Sequence, residues 1–187
     1  MLPIEKRIMD SDTLKDWLEY EASKYGASGK FRMVFPVSES DVLRKHIWLL
    51  RLTEYHINTN HRLQSLFCQT ILFRMQNRYA LHIPPNTCGR GLKIMHVGPV
   101  LINGRATLGE DCSIHINTAI VAGGALDEVP SVGNRVCIGV GAVLIGGIHI
   151  SDDTVIGANA VCTKSVEETG VTVAGVPAKI LNKRSGA

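Results

Sequence analysis

From residue 102 onward, aliphatic side chains return at every sixth position. Ile102, Leu108, Ile114 and Ile120 open the series; after a break, Val132, Ile138, Leu144, Ile150, Ile156 and then Cys162 continue it. Four positions behind the series come residues that are small or β-branched: Ala106, Cys112, Thr118, Val136, Ala142, Ile148, Thr154 and Ala160. Gly109, Gly133, Gly139 and Gly157 directly follow the aliphatic position. A helix repeats every 3.6 residues and a half-exposed strand every two, so neither explains a period of six. The pattern predicts a coil of three short strands, each about six residues long, with one aliphatic side chain per strand pointing into a triangular shaft. Successive coils then stack as parallel strands about 4.8 Å apart.

A narrow shaft has little room for aromatic rings, and the composition follows that limit. All ten aromatic residues, from Trp17 to Tyr79, precede the repeats, whereas only Gly26 and Gly29 of the eighteen glycines do. The chain therefore reads as an α-helical unit over residues 1–81 and a parallel β-helix with a C-terminal tail over 82–187. The fold class is mainly β with an α-helical N-terminal domain.

Within the first unit, Ser11 precedes Leu14, Trp17, Leu18, Ala22 and Tyr25 at helical spacing, with Gly26 placed to close the helix. Ser38 and Asp41 form a capping-box-like start for a long helix to about Ile57. Its apolar positions include Val42, Leu43, Ile47 and Leu50. A third helix is expected from His61 to about Ala80, with Leu63, Phe67 and Ile71 on one face, and Pro84 and Pro85 forbid its continuation. Arg44, Lys45, Arg51, Arg62, Arg74 and Arg78 read as a solvated helix face. His46, His56 and His61 form no ligand-like cluster. This half reads as packing and assembly.

Several classes are excluded. The start MLPIEKRIMD has no apolar core of signal-peptide length, no stretch approaches about 18 uninterrupted apolar residues, and the net charge of +3 with mixed signs announces no nucleic-acid surface. Cys68, Cys88, Cys112, Cys137 and Cys162 are odd in number and lack the close pairs of a zinc or redox site. They read as small buried side chains in a soluble, cytoplasmic chain.

Residues 83 to 182 resemble the serine O-acetyltransferases among the hexapeptide-repeat acyltransferases. The segment GRGLKIMHVGPVLINGRATLGEDCSI carries the likeness, followed by a GG pair, an excursion ending DEVP, IGVGAVLIGGIHISDDTVIGANAV and AGVPAKI. The resemblance implies a left-handed parallel β-helix, acetyl-CoA as co-substrate with no metal, and a homotrimer with sites between subunits, whose trimers can pair through the helical domain. It places the general base at His96, and a neutral imidazole suits removal of a hydroxyl proton at cytosolic pH. Gly123 and Gly124 are candidate backbone donors to a tetrahedral oxyanion. His115, nineteen positions beyond His96, either orients the acceptor or base or is an exposed coil-edge residue. His82 falls where the family carries a base-orienting aspartate, and Met95 where it carries a second. Asp127, in the shortened excursion, is a further acceptor or orienting candidate. The family's arginine–histidine–proline stretch aligns with Glu128-Val129-Pro130, which leaves the acceptor open between free L-serine and a sugar or polysaccharide hydroxyl. For coenzyme A the resemblance points to Val140, Ala158, Thr163, Lys164 and Lys179, the two lysines otherwise being solvated ends of the solenoid. Two alternatives are a non-catalytic scaffold and a metal-dependent hydratase built on His82, His96 and His115.

Overall fold

The structure is a computed structural model and describes residues 1–26, 32, 34–124 and 127–183. Residues 184–187 of the expected tail lie outside the described residues. Three helices, α1 (Ser11–Ser23), α2 (Glu39–Asn58) and α3 (Arg62–Tyr79), precede fourteen short strands among the described residues. β1 (Leu81–His82), β3 (Val100–Ile102), β6 (Thr118–Val121), β9 (Val143–Ile145) and β12 (Val161–Cys162) stack as one sheet. The second sheet holds β4 (Thr107–Leu108), β7 (Ser131–Val132) and β10 (His149–Ile150). The third runs through β2 (Lys93–Ile94), β5 (Ser113–Ile114), β8 (Cys137–Ile138), β11 (Val155–Ile156), β13 (Val171–Ala174) and β14 (Lys179–Lys183). Every pairing is parallel except β13 with β14, which folds back and closes the far end.

The period of six is the wall of this prism. Each register aliphatic from Ile102 to Cys162 is buried, and so is each small or β-branched residue four positions later. Full burial of a Leu, Ile or Val side chain contributes about 1.5–3 kcal/mol, so the stacked column supplies much of the driving force. Three residues after the aliphatic position the backbone turns through the left-handed region, at Asp111, Asn117, Arg135, Gly141, Asp153 and Asn159. Asn, Asp and Gly tolerate that conformation best, which is why they recur at the corners.

The helical unit caps the open end of the shaft. Leu43, Ile47 and Leu50 of α2 join one continuous core with Leu81, Ile83, Leu92 and Ile94 of the first coil. Asp10, not Ser11, caps α1: its carboxylate accepts the N–H groups of Asp12 at 3.0 Å and Thr13 at 2.8 Å, which puts Ser11 inside the first turn. α1 ends at Ser23, before the left-handed Gly26. The capping box of α2 is present as expected.

Arg51 departs from the solvated face assigned to it. Its side chain is fully buried, paired with Glu21 at 2.7 Å and Glu54 at 2.9 Å, and donates to the carbonyls of Cys88 and Gly89. Its helical position explains this, because Arg51 follows Ile47 by one turn and shares the core-facing stripe with Leu50. On α3, Ser65, Cys68, Leu72 and Met75 are buried, whereas Leu63, Leu66, Phe67 and Phe73 are exposed. The apolar face expected from Leu63, Phe67 and Ile71 therefore points away from the chain's own core. Among the described residues no helix is long and apolar enough to cross a membrane.

Candidate active site

His96 lies on the corner between β2 and β3, and this corner is longer than the one stacked on it. Ile94 pairs with Ile114 and Val100 with Thr118, so residues 95–99 span a corner that 115–117 span on the next coil. The two extra residues push the chain outward and leave the His96 side chain 57% exposed. Gly98 permits the bulge: its φ is +157°, and a Cβ there would sit 2.9 Å from Cγ2 of Ile116. The same lengthening sets the step from Lys93 to its partner Ser113 at twenty residues rather than eighteen. Met95 consequently stands opposite His115, and the His96 and His115 rings lie 6.5 Å apart.

A carboxylate that the sequence reasoning missed reaches this corner from the helical unit. Glu39, the first residue of α2, places Oε2 at 3.3 Å from Nδ1 of His96 and accepts the Val97 N–H on Oε1 at 2.7 Å. The hydrogen bond from Val97 holds the Glu39 carboxyl below its ordinary value, against a smaller opposing effect of burial. Nothing in the repeat pattern points to a residue 57 positions upstream. His82 sits in β1 with Leu101 as its register partner and lines a cleft with Pro99, Asn117 and Ala119.

The remaining candidates fall on two edges of the prism. Val140 and Ala158 occupy the same corner as His96 and His115 on later coils. Val140 is 38% exposed, and its carbonyl accepts the N–H of Asn159 at 2.7 Å. Gly139 keeps this edge thin, since a Cβ there would lie 2.9 Å from the Ala158 nitrogen. Lys179, on β14 opposite Ala174, stands near its far end.

The second edge follows β6, β9 and β12. Gly123 donates its N–H to the Glu128 carbonyl at 3.0 Å, closing the excursion, so that N–H is already used and does not serve an oxyanion. Gly124, at φ +77°, remains the candidate donor of the pair. Thr163 and Lys164 continue the register of Ile145 and Gly146 and are exposed. Asp127 is bound by Arg105, whose Nη2 donates to its carbonyl at 2.6 Å and its carboxylate at 2.5 Å. Within one chain it lies on the edge away from His96.

α1 covers the third edge near the first coils. Tyr20 and Lys24 bind the Asp111 carboxylate at 2.8 and 2.6 Å, and Arg90 pairs with Asp16 while stacking on Tyr20. Burial pushes the thiols of Cys88 and Cys112 up to about 12 and that of Cys162 to about 11, so they are neutral and poorly suited as nucleophiles. Among the described residues no group of three or more His, Cys, Asp or Glu side chains is arranged to hold a metal ion.

No family model matches the chain. A serine acetyltransferase of Helicobacter pylori strain J99 is 37% identical over 102 residues, which cover 54% of this chain and 59% of that protein. This chain is similar to serine acetyltransferases. It spans about half the length of the curated serine acetyltransferases it matches. Among solved structures, a serine acetyltransferase in complex with CoA superposes with a TM-score of 0.71 at 22% identity, covering 91% of this chain and 71% of that one. The Neisseria gonorrhoeae serine acetyltransferase in complex with serine gives 0.65 at 23% identity, covering 90% of this chain and 69% of that one. These neighbours establish the fold as the left-handed parallel β-helix of hexapeptide-repeat transferases. That hand runs against the right-handed crossover rule of parallel strands.

Proposed function

We propose that this serine acetyltransferase-like chain is an acetyl-CoA-dependent O-acetyltransferase with His96 as general base. The observation that carries the reading is the His96 corner: an exposed imidazole on a lengthened turn, at the head of an edge whose later coils present Val140 and Ala158. His96 removes the proton of the acceptor hydroxyl as its oxygen attacks the thioester carbonyl. The tetrahedral intermediate collapses with loss of the CoA thiolate, and the imidazolium returns the proton to that sulfur. The thioester is already activated, so no protein nucleophile is needed. In this reading the Gly124 N–H of a neighbouring copy stabilises the oxyanion. Thin corners at Gly139 and Ala158 suit a pantetheine arm, and Lys164 and Lys179 suit the phosphates at its nucleotide end.

The site needs more than one copy. His96, His115, Val140 and Ala158 line one edge, whereas Gly124, Thr163 and Lys164 line another, with a sheet face between them. A threefold ring brings one copy's first edge against its neighbour's second, which favours a homotrimer. The exposed apolar face of α3 supports assembly, because a patch of that kind is unusual on a monomer.

L-serine is the first acceptor to test, with the hydroxyls of free sugars as the second arm. Release of CoA from acetyl-CoA is expected with one of them, and His96→Ala should lower kcat by about 10²–10⁴-fold while the protein still folds and binds CoA. A His96→Ala protein with wild-type turnover would remove the proposed base, and CoA binding without transfer to either acceptor would favour a non-catalytic role.

A further inference from the structure

We infer that Glu39 of the helical unit is the positioning residue for His96, supplying from α2 the carboxylate that neither His82 nor Met95 supplies. The inference deepens the acetyl-transfer reading and rests on it for its catalytic consequence. Its geometry stands independently.

The Glu39 carboxylate is divided between two neighbouring groups. Oε2 faces Nδ1 of His96 at 3.3 Å, and Oε1 accepts the backbone N–H of the next residue, Val97, at 2.7 Å. One side chain thus registers both the ring and the corner that carries it. An ionised carboxylate only accepts hydrogen bonds, so the proton of the neutral imidazole belongs on Nδ1. Nε2 is left with its lone pair free for the acceptor hydroxyl. Among the described residues the titratable groups facing the ring are Glu39 from α2 and His115 from the next coil, the latter at 6.5 Å between ring centroids. An imidazolium formed during transfer is stabilised by Glu39, which a histidine at position 82 or a methionine at 95 does not do.

Glu39 is available for this because its own helix start is otherwise satisfied. Ser38 Oγ accepts the Asp41 N–H at 3.2 Å, and the Asp41 carboxylate accepts the Ser38 N–H at 3.1 Å. α2 is in turn fixed to the first coil by Arg51 on Cys88 and Gly89, and by Glu54 on the Asn86 N–H. The helix that plugs the shaft therefore also aims the base, a direct link from the assembling half to the chemistry.

The test uses the full chain and the variants Glu39→Gln and Glu39→Asp. Glu39→Gln keeps the shape and the contact to Val97 but removes the charge. It should lower kcat by about 10- to 100-fold, part of the effect of a well-placed base, with KM for acetyl-CoA within about twofold. Glu39→Asp keeps the charge one methylene further away and should recover part of the lost kcat. Unfolding midpoints should stay unchanged, since the capping box remains. A Glu39→Gln enzyme with wild-type kcat would overturn the inference.

A second measurement does not need turnover. In chain labelled with ¹⁵N-histidine, neutral His96 should carry its proton on Nδ1, and Glu39→Gln should shift the tautomer balance. A predominant Nε2–H form in the unmodified chain, or an unmoved tautomer balance in the variant, would overturn the positioning role. If no hydroxyl acceptor turns over but the tautomer shift occurs, the acetyl-transfer reading fails and the Glu39–His96 pairing stands.

Discussion

His46 lies in the middle of α2 with no exposed surface, and neither ring nitrogen finds a hydrogen-bond partner among the described residues. Burial pushes its pKa down from 6.5 to about 4, so the folded chain holds it neutral where the unfolded chain is protonated. Stability linked to His46 is therefore complete above pH 6.5 and is lost as the pH falls from 6.5 towards 4. The loss amounts to about 2 kcal/mol at pH 5 and about 3 kcal/mol at pH 4. His46→Leu should remove this part of the acid sensitivity. Urea unfolding of both proteins at pH 7.5 and pH 5 checks it, and equal losses of stability would show that His46 does not titrate on unfolding. His46 and Glu39 also mark the limit of reading single residues from sequence. The helical period placed His46 in α2, but its burial depends on what packs against that turn. The role of Glu39 depends on a corner that only the folded solenoid brings to it.

α2 does at the scale of an element what neither half does alone. Its apolar stripe plugs the shaft, and Arg51 ties α1, α2 and the first coil at one point. Glu21 comes from α1, Glu54 from α2 itself, and the Cys88 and Gly89 carbonyls from the coil. Burial pushes the Glu54 carboxyl up while the Arg51 charge pulls it down. Removing the cation leaves two buried carboxylates without their partner, so Arg51→Met should cost about 3–5 kcal/mol. Urea unfolding reads that loss, and limited proteolysis should show α1 released first. A loss below about 1 kcal/mol would mean that the Arg51 cluster is not what holds the halves together. The repeats were legible because each strand spends one aliphatic residue on the shaft, at a spacing no other element uses. Arg51 was not, because a charged residue on a helix ordinarily marks the wet face. The stripe through Leu43, Ile47 and Leu50 was the available signal against that. The corner at His96 was singled out through resemblance, but its two extra residues appear only in the strand register.

At the scale of the whole molecule, the proposed site draws on two separate edges of the prism. α1 occupies the third edge, which leaves the His96 edge and the Gly124–Lys164 edge free to face neighbours. If the proposed trimer builds each site from the first edge of one copy and the second edge of the next, two differently damaged chains should complement each other. His96→Ala disables the first edge. Gly124→Arg blocks the second, at a position where φ is +77° and, among the described residues, no atom beyond its chain neighbours lies within 4 Å of an added Cβ. Left-handed backbone costs a non-glycine residue about 1–2 kcal/mol, so the fold of this variant should be verified by its circular dichroism spectrum. Each variant alone should be inactive. Unfolded together in equal amounts and refolded, they assemble at random. About one interface in four then joins an intact His96 edge to an intact Gly124 edge, so about a quarter of wild-type activity should return. Separately refolded and then mixed chains should stay inactive if subunits do not exchange. No recovery from a co-refolded mixture whose chains demonstrably co-assemble would place the whole site in a single chain, and the two-edge arrangement would be wrong.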